Sequence, residues 1–79
     1  MDSTETSDIQ NLLHNITFLR KHHNLSKKKM ARLLHIGIPT LNKIEIGVLP
    51  DRLSAEVLVY LANYFGYTTD DLLFRWLEE

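Results

Sequence analysis

The stretch LSKKKMARLLHIGIPTLNKIEIG, from Leu25 to Gly47, decides how the rest of this chain is read. Ser26 stands where a helix cap belongs, and Leu25 just before it can pack against Met30 as a hydrophobic staple. Met30, Ala31 and Leu34 share one helical face, with Leu33 on its margin. His35-Ile36-Gly37 interrupts that pattern, with Ile36 plugging the core and Gly37 opening a second helix. Pro39 falls in the first turn of that helix, where its missing N–H is not needed. Leu41 and Ile44 point inward, and Gly47 is expected as a left-handed terminator after Glu45. Ser26 to Glu45 is the length of two helices crossing steeply about a short turn, an arrangement that reads DNA.

The polar positions carry the chemistry. Lys27, Lys28 and Lys29 occupy the first turn of a helix, where the dipole and unpaired N–H groups favour acids, and Lys29 stands where Glu or Gln would close a capping box. A bound anion compensates for that choice, which makes Ser26, Lys27, Lys28, Lys29 and Arg32 candidate phosphate ligands. The plainer alternative is solvated surface lysine. On the second helix the outward face presents Ile38, Pro39, Thr40, Asn42 and Lys43, the candidate base-reading set.

Net charge is −1, which by itself argues mildly against nucleic acid. The distribution argues for it. Between His14 and Ile44 lie seven Lys or Arg residues (Arg20, Lys21, Lys27, Lys28, Lys29, Arg32 and Lys43) and no Asp or Glu. Local field steers a polyanion more than a chain average does. The absence of cysteine excludes a disulfide framework, zinc fingers and thiolate sites. No apolar run is long enough to span a membrane, and MDSTETSD is acidic where a secretory signal would be basic, so the expected compartment is the cytoplasm. A chain of 79 residues holds one small core, and apolar surface left over would serve pairing.

Outside the central stretch, residues 1–7 are expected as a disordered acidic tail and 8–79 as a single domain. Ser7 or Asp8 can cap a first helix running to about His22, with Ile9, Leu12, Leu13, Ile16 and Leu19 as its buried stripe. Arg20, Lys21 and His22 fall in its last turn, serving either the helix dipole or a phosphate. Val48 and Leu49, in the loop to Leu53, either fold back on the core or join an interface. A fourth helix is expected from about Ser54 to Phe65, burying Val57, Leu58, Leu61, Ala62 and Phe65, with Gly66 as its stop. Thr68 to Asp71 fits a capping box and starts a final helix carrying Leu72, Leu73, Phe74, Trp76 and Leu77. So many large side chains cannot all face one small core. Tyr64, Tyr67, Phe74, Trp76 and Leu77 are therefore the candidate homodimer surface, the alternative being that Trp76 closes the base of the core.

The string Ser26-x-x-x-Met30-Ala31-x-x-Leu34-x-Ile36-x-x-x-Thr40-Leu41-x-Lys43-Ile44-Glu45-x-Gly47, continued by Leu61-Ala62, Phe65-Gly66 and Asp71-Leu72, resembles the helix-turn-helix domains of the Cro and phage cI repressor type, the xenobiotic-response-element family, over roughly residues 10–74. The resemblance implies an all-α, compact five-helix domain of lambda-repressor-like type. It also implies sequence-specific binding of double-stranded operator DNA through the major groove, as a homodimer and as a transcriptional regulator, with repression the expected sense and no catalysis or cofactor. It puts Lys27, where the family commonly has Gln, at a phosphate and sometimes a base edge, and Ile38, Pro39, Thr40 and Lys43 in the groove with Asn42 beside them. The chain departs from the family at Gly37, Ile38 and Pro39, where Ser, Gln or Arg are common, and at His35, where Gly is preferred. With no arginine on the reading helix, Lys43 is left for guanine, Asn42 for adenine and Ile38 for a thymine methyl.

An enzyme is not expected: His14, His22, His23 and His35 are the only imidazoles, and no metal-binding, phosphate-loop or triad spacing is present. The rival is a protein-interaction or antitoxin-like domain that keeps the helix-turn-helix while binding DNA weakly or only with a second protein. The apolar Ile38 and Pro39 motivate it.

Overall fold

The computed structural model describes the backbone of residues 3–78 and the side chains of residues 8–78. Five helices follow one another: α1 (Ser3–His22), α2 (Lys27–Leu34), α3 (Ile38–Glu45), α4 (Glu56–Phe65) and α5 (Thr69–Phe74). The domain is all-α, a compact five-helix arrangement of lambda-repressor-like type. α1 packs on α3 and α5, α2 on α3 and α4, and α4 on α5. Leu13, Ile16 and Leu19 of α1 meet Met30, Ala31 and Leu34 of α2, Leu41 and Ile44 of α3, Val57, Leu61 and Ala62 of α4, and Leu72 in a single core.

Local chemistry sets the boundaries of the central pair. Ser26 Oγ accepts the Lys29 N–H at 3.0 Å, and Leu25 is half-buried against the core. Pro39 lies in the first turn of α3 as expected. The same terminator recurs at successive helix ends, a left-handed residue followed by a backbone bond reaching back five residues. Asn24 (φ 56°), His35 (φ 60°) and Gly47 (φ 83°) take that position. The bonds run from Leu25 N to Arg20 O (2.9 Å), Ile36 N to Ala31 O (2.9 Å) and Val48 N to Lys43 O (2.9 Å). α4 ends likewise on Gly66, with Tyr67 N donating to Ala62 O at 3.1 Å. The turn at His35 is thus the usual one, built with a residue that strains it. Its imidazole stacks on Tyr60 with ring centroids 4.3 Å apart.

Several expectations need correction. α1 begins at Ser3, so Ser7 and Asp8 lie inside the helix and not at its cap; Met1 and Asp2 lie outside the described residues. Ile9 is exposed and does not belong to the buried stripe. α4 starts at Glu56, whose N–H donates to Ser54 Oγ at 3.1 Å. α5 is capped by Thr68, which accepts from Asp71 N at 3.0 Å, but it ends at Phe74. Arg75 is extended, and Trp76 and Leu77 follow outside the helix. Leu77, 5% exposed, closes the base of the core. Trp76 stays exposed and stacks on His14, centroids 3.5 Å apart and planes 9° from parallel.

What holds that final segment is polar. Asn15 is fully buried on the apolar face of α1. Its Nδ2 donates to Leu72 O (2.9 Å) and Arg75 O (2.7 Å), and its Oδ1 accepts from Leu77 N (3.0 Å). One turn earlier, Asn11 Nδ2 donates to Leu73 O (3.0 Å) and Arg75 O (2.8 Å), and beside Asn15, His14 Nε2 bonds Leu77 O at 2.8 Å. The carbonyls that a short helix leaves unpaired at its end are satisfied by side chains of α1. Asn15→Ala would strand two buried backbone groups, Leu72 O and Leu77 N, while Arg75 O keeps Asn11, so a loss of about 2–4 kcal/mol in urea unfolding is expected; a loss under about 0.5 kcal/mol, the size of an ordinary surface change, would contradict this role. At His35, replacement by Gly and by Ala removes the same ring stacking, but only Gly relieves the left-handed backbone. The Gly variant should therefore be the more stable by about 1 kcal/mol, measured by the same unfolding experiment.

Candidate nucleic-acid interface

On α3 the candidate base-reading residues Ile38, Pro39, Asn42 and Lys43 are exposed and Thr40 is half-buried, while Leu41 and Ile44 turn the opposite face into the core. No acid occurs in the first turn of α2 or α3. Lys28, Lys29, Arg32 and Lys43 are exposed, and among the described residues they form no ion pair.

α3 is tied to α1 by an ion pair that sequence reasoning missed. Arg20 Nε donates to Glu45 Oε2 and Nη2 donates to Glu45 Oε1 at 3.1 Å, while Nη1 donates to Leu25 O at 3.0 Å. The two side chains are 15% and 9% exposed, so the pair is largely removed from solvent. Arg20 therefore serves the fold: it joins the end of α1, the turn into α2 and the end of α3. Of the two readings of Arg20, helix end or phosphate ligand, the geometry favours the structural one: it lies in the last turn of α1, and three of its five N–H donors are taken by a carboxylate and a loop carbonyl. The only advance signal was a lone acid closing a long acid-free window.

The candidate phosphate ligands do not act as one group. Lys27 turns toward α3, where its Nζ donates to Asn42 Oδ1 at 2.8 Å and lies 3.8 Å from Glu45 Oε1. Lys29 and Arg32 line a cleft on the other flank of α2, with Leu33, His35 and Tyr64. Lys28 stands outward, and Ser26 is occupied in capping α2. Lys27 and Asn42, read from sequence as a phosphate ligand and a base reader on separate helices, are in contact with each other.

The candidate dimer residues are likewise divided. Tyr67, Trp76 and Leu77 line one cleft with Phe18, whereas Tyr64 lines another with Leu33, Tyr60 and Asn63. Leu77 belongs to the core and is not available to a surface. Phe74 and Tyr64 are exposed. The loop after α3 leaves Ile46 (75% exposed), Val48 and Leu49 in solvent, so Val48 and Leu49 do not fold back; Pro50 is the buried residue there. Among the described residues no three His, Cys, Asp or Glu come together as metal ligands, and no helix is long and apolar enough to cross a membrane.

No curated protein and no solved structure matches the chain. A match to a protein family does exist, covering residues 13–75 and so running from the first buried leucine of α1 past the end of α5. That span holds the capped pair of helices, the ion pair that fixes them and the exposed face between Ile38 and Lys43. The chain belongs to this family of helix-turn-helix domains, a membership that points to a DNA-binding, regulatory role.

Proposed function

We propose that this protein is a transcriptional regulator of the Cro and phage cI type, binding operator DNA with α3 in the major groove and repressing as a homodimer in the cytoplasm, without catalysis or cofactor. The observation that carries the reading is the rim of cations, Lys28, Lys29, Arg32 and Lys43, that form no ion pair among the described residues, around an exposed helix face with no acid beside them in sequence from residue 14 to residue 44. Such a rim follows a phosphate backbone, and α3 presents side chains of the size and polarity that reach base edges. Two-fold pairing would place two such helices one DNA turn apart. The exposed Ile46, Val48 and Leu49, next to the end of α3, are better placed for that pairing than the dispersed aromatic residues.

The second reading is an interaction or antitoxin-like domain whose DNA binding is weak or depends on another protein. It draws on the apolar half of the α3 face, Ile38 and Pro39, and on the same exposed loop. Fluorescence anisotropy of a random-sequence duplex, titrated at several salt concentrations, separates the two. Micromolar or tighter binding with a steep negative slope of log K on log salt supports the first reading; salt-insensitive weak binding or none supports the second. Replacing Lys28, Lys29 and Arg32 together by Ala should weaken binding to every duplex and flatten that slope by roughly 0.9 for each phosphate no longer neutralised. Lys43→Ala should instead relax preference among sites by a factor of about 5–100, read from competition between duplexes, while most of the salt slope is retained.

A further inference from the structure

Asn42 is the one amide on the proposed reading face, exposed and able to donate to and accept from the same base through separate atoms. An amide left alone pairs with adenine, accepting from N6–H and donating to N7. Here it is not left alone. An ammonium group only donates, so the 2.8 Å contact from Lys27 Nζ identifies the atom facing it as Oδ1 and leaves Nδ2 as the outward end. Lys27 itself is held from behind: Glu45 Oε1 is 3.8 Å from its Nζ, and Glu45 is locked by Arg20. Lys27 stays 46% exposed, so part of its ammonium remains available in front.

Resting on the DNA-binding reading above, we propose that Lys27, by donating to Asn42 Oδ1, turns that amide into a donor-only reader and so sets guanine, in place of adenine, as the base Asn42 selects. Guanine offers two acceptors, N7 and O6, in the major groove, and both suit the Nδ2 donor with an ammonium beside it. Adenine offers N7 but sets its N6 donor against that same cation. Oδ1 keeps a second lone pair, yet a base donor reaching it would lie against the Lys27 charge. Cytosine presents a donor and is rejected for the same reason. Lys27 is thus a positioning residue, and its effect is read in base identity as well as in affinity.

The test is selection of bound duplexes from a randomised pool, compared for the wild-type chain, Asn42→Ala, Lys27→Met and Lys27→Arg, with circular dichroism to confirm that each is folded. Asn42→Ala marks the position at which its amide reads. There, the wild-type chain should prefer guanine over adenine by a factor of about 5–100. Lys27→Met, which frees Oδ1, should move the preference to adenine at that position alone, and Lys27→Arg, which still donates, should restore guanine. Adenine chosen by the wild-type chain, or a guanine preference unchanged in Lys27→Met, overturns the assignment while leaving DNA binding intact. Absence of salt-dependent duplex binding overturns the parent reading, and this one with it.

Discussion

The Arg20–Glu45 ion pair is the constraint on which the placement of α3 and its exposed face depends. Taking two charges out of water is unfavourable unless their geometry is good and their remaining hydrogen-bonding groups are satisfied. Both conditions hold: the guanidinium meets the carboxylate through two nitrogens and gives its third to Leu25 O. The pair joins residues 25 apart in sequence and thereby sets where α3 ends relative to α1. Because α3 has only eight residues, an anchor at its last residue orients the whole helix. Apolar packing of Leu41 and Ile44 alone would leave rotation about the helix axis less firmly defined, since apolar contacts are not directional.

A second polar device serves the other end of the molecule. A domain of this size buries limited apolar surface, and its last helix is a turn and a half long. α5 and the extended segment after it are held by Asn11, His14 and Asn15, spaced along one side of α1 and bonded to successive backbone groups. Among the described residues no buried side-chain nitrogen or oxygen lacks a partner, the condition under which a buried polar network specifies one structure instead of destabilising it. Both devices start on α1, which therefore acts as the spine: its apolar face builds the core, its middle clamps the segment after α5, and its last turn fixes α3.

Legibility in the sequence follows the range of the interaction. The bounds of α2 and α3 were readable to within a residue because caps and terminators are local: Ser26, Pro39 and Gly47 act within a few residues of themselves. The end of α5 at Phe74 is not legible locally; the carbonyls at that end are taken by asparagines some sixty residues away. Asn15 sits in phase with Leu12 and Leu19, and a polar residue on a buried stripe was the available hint of a clamp. Arg20–Glu45 and Lys27–Asn42 left weaker traces, since charge patterning shows which residues are basic but not which of them are already paired.

That difference between a basic residue and an available one changes what the surface can recognise. Five cations stand on or beside the helix pair, but Lys27 is engaged by Asn42 and Glu45, leaving Lys28, Lys29, Arg32 and Lys43 to face a polyanion. The reading helix then offers donors at Asn42 and Lys43 and carbon at Ile38 and Pro39, with the Thr40 hydroxyl half-buried between them. Such a face is poor in acceptors, and under the proposed reading it would discriminate chiefly against bases that present donors and would use its apolar end for methyl contact. A single lysine at the head of α2 thereby occupies one acceptor on the exposed face of α3, and under the proposed DNA-binding reading it would move recognition from hydrogen-bond exchange toward donor complementarity.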